Sequence, residues 1–154
     1  MKTLGILLST VGLTGAIVLT APAQAATAVT CSGARSISSA PILRDHKPPS
    51  WGKVRLVRDS CSQYWAEISV ASQMPANARA NVYLVQYGGA NGGRVLSCDS
   101  SGGNGAVITG QRTCRTPKVR STDTGVTFAS IGREFHNYGG GYEEISETAT
   151  SRTR

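Results

Sequence analysis

The stretch Lys53-Val54-Arg55-Leu56-Val57-Arg58-Asp59-Ser60-Cys61-Ser62-Gln63-Tyr64-Trp65-Ala66-Glu67-Ile68-Ser69-Val70 decides the fold. Its first part sets Val54 and Leu56 against Arg55 and Arg58, with Val57 breaking the alternation; its second sets Tyr64, Ala66, Ile68 and Val70 against Trp65, Glu67 and Ser69. A period of two marks a half-buried strand, because successive side chains point to opposite faces. Two such runs joined around Cys61-Ser62 predict a hairpin. Trp65 then faces away from Ile68, and burying both requires cover on both faces of the hairpin.

Outward from this hairpin, short apolar runs alternate with turn residues. Residues 81–87 read as a third strand, Gly88-Gly89-Ala90-Asn91-Gly92-Gly93 as a flexible loop, and residues 94–98 as the returning strand of another hairpin. Residues 99–105 are turn-like, 106–109 form a short strand, and 125–131 form a last one with Val126 and Phe128 on one face. Residues 76–80, after Pro75, have room for one helical turn. Residues 36–51, with Pro41, Pro48 and Pro49, read as an exposed connection with little regular structure. Eighteen glycines in 154 residues and only 6% aromatic residues disfavour a helix bundle. The expected fold is all-β, a small antiparallel sandwich or barrel with two disulfides.

The ends of the chain are read by composition. Residues 1–25 carry Lys2, an apolar stretch from Leu4 to Leu19, Pro22 and then Ala23-Gln24-Ala25, the small-x-small pattern of a signal peptide cut after Ala25. The apolar stretch is diluted by Ser9, Thr10, Gly12, Thr14 and Gly15, and is too short for a membrane span. The expectation is therefore a secreted, extracellular product without a membrane anchor, whose formal charge drops from +7 to +6 with the loss of Lys2. Residues 26–145 make a single domain, and residues 146–154, rich in Ser, Thr and Arg, a flexible tail.

Secretion fixes how the cysteines are read. Cys31, Cys61, Cys98 and Cys114 are even in number, and an oxidising compartment favours bridges. Of three possible pairings, Cys31 with Cys61 and Cys98 with Cys114 are favoured, since each closes a local segment containing turn signals. The spacings are far wider than C-x-x-C, and His46 and His136 lie remote from the cysteines, so no metal site is read. No cofactor motif is present.

A resemblance enters on the run Gly52-Lys53-Val54-Arg55-Leu56-Val57-Arg58-Asp59-Ser60-Cys61-Ser62-Gln63-Tyr64-Trp65-Ala66-Glu67-Ile68. It resembles the signature of YjfA-like secreted proteins of Gram-positive bacteria, a family with a domain of unknown function. Cys31-Ser32-Gly33 and Arg115-Thr116-Pro117-Lys118-Val119 extend the likeness over roughly residues 31–132. The chain departs from the pattern in lacking a second cysteine soon after Cys31 and in its Tyr/Gly-rich, acidic C-terminal stretch. The resemblance implies a secreted, mostly β domain and carries over no catalytic residue.

The chemistry is sparse. Cys98-Asp99-Ser100-Ser101-Gly102-Gly103 is superficially similar to the serine-nucleophile stretch of trypsin-like proteases, with His46 and Asp59 upstream. The extra serine breaks the oxyanion-hole spacing, and the chain is too short for the two barrels that hold such a triad. His136 can serve as a general base if Glu134 shares its strand face and orients it; an exposed loop histidine is the plainer alternative. Glu143 and Glu144 point to opposite faces of a strand and, with Glu147, read as a solvated acidic edge. The candidate ligand-binding residues are Arg112, Arg115, Lys118 and Arg120, a dense basic segment, and Tyr138 and Tyr142, which flank Gly139-Gly140-Gly141 at a hairpin tip. The basic segment has no interleaved aromatic residues, which argues against specific nucleic-acid recognition. A secreted non-enzymatic binding or envelope-associated protein needs only these features, with an anionic cell-wall polymer or an extracellular protein as partner. The alternatives are a secreted protease inhibitor, with the Cys98 to Cys114 segment bracing a loop, and a small secreted hydrolase.

Overall fold

A computed structural model describes residues 30–44 and 47–154. The signal-peptide reading and His46 lie outside the described residues. Nine strands follow one another in chain order: β1 (Arg35–Arg44), β2 (Lys47–Arg58), β3 (Gln63–Val70), β4 (Ala78–Tyr87), β5 (Val95–Ser97), β6 (Thr113–Arg115), β7 (Val119–Arg120), β8 (Thr127–Asn137) and β9 (Tyr142–Ala149), with no helix among the described residues. They form two antiparallel sheets, β1-β2-β3-β6 with β7 also on β3, and β5-β4-β8-β9. The sheets pack as an open sandwich and do not close into a barrel. The β2–β3 hairpin has the register the alternation predicts, with Val54 opposite Ile68 and Leu56 opposite Ala66.

The core lies between the sheets. Val54, Leu56, Tyr64, Ala66 and Ile68 from the first meet Val82, Leu84 and Phe128 from the second, all buried. The Tyr64 and Phe128 rings stack across the interface with centroids 4.4 Å apart, an arrangement worth about 0.5–1.5 kcal/mol beyond area burial. Gly132 in the middle of β8 faces the same layer: a Cβ there would stand 3.3 Å from Val54 Cβ and 3.4 Å from Ile68 Cδ1. The missing side chain lets the sheets approach.

Both disulfides have the locally closing connectivity, Cys31–Cys61 and Cys98–Cys114. The second joins the sheets, because Cys98 directly follows β5 and Cys114 lies in β6. At the opposite edge β1 lies over β9.

Four expectations are corrected. Within residues 36–51, the described residues 36–44 and 47–51 are strand, belonging to β1 and the start of β2, with Ile42 at 0% exposure. Pro41 is tolerated because β1 is an edge strand, and Pro48 and Pro49 because they precede the pairing of β2 with β3, which begins at Gly52. Residues 76–80 hold a turn, with Ala78 N donating to Pro75 O, and then enter β4. Residues 106–109 contribute only an isolated bridge, Val107 with Ala80. Residues 146–154 are not a loose tail. Ser146, Glu147, Thr148 and Ala149 pair with β8, and Thr153 bridges Phe128. A polar strand with one face on solvent has no apolar run for a sequence reading to find.

Candidate functional site

The outer face of the first sheet is built in cross-strand rows. Arg55, Glu67 and Arg115 stand opposite one another on β2, β3 and β6, and Lys53, Ser69 and Thr113 form the next row. Val57 and Trp65 form the row beyond, capped by Lys118. Arg112 precedes β6, where its carbonyl accepts from Val70 N, and Arg120 on β7 pairs with Gln63. The four basic residues of the sequence reading thus lie along one edge of this sheet, and Lys53 and Arg55 widen the basic face across it.

These cations are not equivalent. Lys118 Nζ donates to Asp59 Oδ2 at 3.0 Å and sits 4.4 Å from the Trp65 ring centroid. Asp59 Oδ1 accepts from the backbone N–H groups of Cys61 and Gln63, both at 3.0 Å. Burial alone would raise the Asp59 pKa, but the Gln63 N–H, the Lys118 ammonium and the Cys61 N–H together outweigh it and hold the carboxyl below its ordinary value. Lys118 is therefore a structural cation over Trp65, which is 5% exposed. Arg55 is shared with Glu67, whose other oxygen accepts from Trp65 Nε1 at 2.7 Å. Lys53, Arg112, Arg115 and Arg120 have no carboxylate partner among the described residues.

The second sheet holds a cluster the sequence reading half found. Glu134 and His136 share the inner face of β8, and His136 Nε2 lies 3.0 Å from Glu134 Oε1. Arg44, at the end of β1, donates from Nε to Glu134 Oε2 at 3.0 Å and from Nη2 to Oε1, so the guanidinium grips both carboxylate oxygens. Ser146 Oγ on β9 adds a longer contact at 3.4 Å. Glu134 is fully buried, while Arg44 is half exposed and lies over the Trp51 ring. The hydrogen bonds to Glu134 raise the Arg44 pKa above its ordinary value against the opposing effect of burial. With both oxygens held by Arg44, this carboxylate clasps the two sheets. Nothing local to Arg44 marks it as a partner of Glu134, since it comes from the segment expected to be an irregular connection.

The tip tyrosines separate. Tyr142 lies on the outer face of the second sheet with Arg79 above its ring, 4.3 Å from the centroid, whereas Tyr138 sits in the turn beside His136, at 6.1 Å between rings. Glu144 and Glu147 both reach Arg133, at 3.4 and 2.6 Å. Three residues apart, they would normally face opposite ways; a bulge in the β8–β9 pairing leaves Ile145 as the extra residue and brings them to one side. The protease-like serine segment is a turn, with Ser100 Oγ accepting from Ser97 N. Asp59, engaged by Lys118, belongs to the other sheet. No group of metal-ligating side chains occurs among the described residues.

An open antiparallel sandwich with two outer faces and two bridges is the architectural class these observations define. Over 70 residues the chain is 31% identical to Uncharacterized protein YjfA of Bacillus subtilis (strain 168), a match spanning 46% of this chain and 43% of that protein. The chain is YjfA-like over this stretch, which is less than half the length of the relative. No family model matches the chain, and no solved structure matches it. The disulfides fit a protein of an extracellular or periplasmic compartment, and no helix among the described residues is long and apolar enough to cross a membrane.

Proposed function

We propose that the protein is a secreted, non-enzymatic module that binds anionic polymers of the cell envelope through the outer face of the first sheet. The observation that carries this reading is the set of cations without carboxylate partners: Lys53, Arg115 and Arg120 on the outer face of the first sheet, with Arg112 at its β6 edge. Unpaired surface charges of one sign attract a polyanion and release its counterions on contact, which makes binding fall steeply with salt. The test is retention on isolated Gram-positive cell walls at low and physiological salt, with wild type compared with a variant carrying Ser at these four positions. Lys118 is left in place to keep Asp59 paired. Wild type is retained at low salt and released at physiological salt, and the variant passes through. Equal retention of both proteins removes the basic face from the account.

A second reading, protease inhibition, draws on one observation. Ile108 is 53% exposed on the segment closed by Cys98–Cys114, directly after Val107, which is buried and bridged to Ala80. An apolar side chain held out on a braced loop suits a protease pocket. Inhibition of a serine-protease panel that is abolished by Ile108→Asp would favour this reading.

A further inference from the structure

The outer face of the second sheet carries a strip of aromatic rings and guanidinium groups that the basic face does not use. Arg79, Tyr83 and Tyr87 follow one another along one side of β4, with Phe135 on β8 and Tyr142 on β9 beside them. The Arg79 guanidinium carbon lies 4.3 Å from the Tyr142 centroid and 5.2 Å from that of Phe135. Arg133 covers Tyr83 at 5.2 Å, and Arg152 covers Tyr87 at 3.7 Å. Arg133 is neutralised by Glu144 and Glu147. Arg79 and Arg152 have no carboxylate partner among the described residues and are held in place by rings alone. Eight residues of strand separate Arg79 from Tyr87, or about 27 Å.

We propose that this face is a second binding site, independent of the basic face, for a glycan chain bearing widely spaced carboxylates. Sugar rings lie on the guanidinium planes that rest on the aromatic rings, and acidic substituents meet Arg79 and Arg152 at the two ends of the strip. Charge density selects this ligand over a nucleic-acid strand. A strand in helical form carries a phosphate about every 3.4 Å, hence about eight over this length, against two unpaired guanidiniums and a flanking pair of carboxylates. Stacking surfaces with few charges match a ligand with few charges.

The test is calorimetric titration of the folded protein with a decasaccharide of alternating glucuronate and N-acetylglucosamine, with neutral chitohexaose and with a dT20 strand. The acidic decasaccharide binds more tightly than the neutral oligomer and than dT20. Tyr87→Ala and Arg152→Gln each weaken it at least about tenfold, the effect expected from losing one stacking partner. The variant with Ser at Lys53, Arg112, Arg115 and Arg120 keeps its affinity within about twofold, which separates this site from the basic face. Amide shift changes on titration of wild type are confined to β4, β8 and β9, and far-UV circular dichroism establishes that each variant is folded. Absence of binding to the decasaccharide, binding of dT20 at equal or greater affinity, or loss of decasaccharide binding only in the basic-face variant overturns the proposal.

Discussion

Arg44 in the first sheet and Glu134 in the second are joined through two hydrogen bonds, although Arg44 is 52% exposed and Glu134 0%. Removing the guanidinium strands a buried carboxylate beside His136 and Ser146. Arg44→Ala is expected to cost about 3 kcal/mol, toward the lower end for a broken buried pair because water reaches the Arg44 side. Glu134→Leu in the Arg44→Ala background recovers part of that loss. Urea unfolding of the two single variants and the double variant measures this, and additive effects would show that the pair is not coupled.

Asp59 makes stability depend on pH. Its folded pKa lies below the ordinary value of 3.8, so the folded protein binds this proton less readily than the unfolded chain. The resulting stability is fully present well above that value and is lost as pH falls through the lower folded value. Asp59→Asn is therefore less stable at neutral pH and has a shallower acid limb below about pH 4. Thermal unfolding followed from pH 7 to pH 2 shows this as two curves that converge on acidification; parallel curves would exclude Asp59 as a contributor.

Trp65 is buried on the side of β3 away from the core, between Val57 and Lys118. Trp65→Ala should cost about 3–5 kcal/mol, as for a large buried aromatic residue. Glu67→Gln, which keeps an acceptor for the indole N–H, should cost under about 1 kcal/mol. Chemical denaturation of both variants tests the assignment, and a small loss for Trp65→Ala would show that the ring is exposed and make it a binding candidate.

Gly132→Ala places a methyl group against Val54 and Ile68 at contacts tighter than ordinary van der Waals distance. A destabilisation of about 1–3 kcal/mol is expected from overpacking. Gly140→Ala, whose added Cβ would meet nothing within 4 Å, is the comparison. Equal melting temperatures for the two variants would show that the sheets have room to spare.

The β2–β3 hairpin was legible because one apolar face and one polar face give a period of two, and the cysteines were legible because each bridge closes a short segment. β1 and β9 were not. The first is punctuated by proline at an edge, and the second is polar at nearly every position because solvent covers one of its faces. The candidate sites followed the same division. A local run such as Arg112, Arg115, Lys118 and Arg120 is visible in sequence, but the neutralisation of Lys118 by Asp59, 59 positions earlier, is not. Glu134 and His136 were linked by strand alternation, while Arg44, 90 positions away from Glu134, could enter only through topology.

The sandwich is bound like a book. The bridge from Cys98 to Cys114 is a covalent spine along the edge that carries β5 and β6, and the grip of Arg44 on Glu134 is a reversible fastening at the opposite edge, where β1 lies over β9. Excursions from the native state therefore begin at the fore-edge. Backbone amides of β1 and β9 exchange with solvent ahead of those of β3 and β4, and cutting the spine by reduction frees the two covers to part from either side.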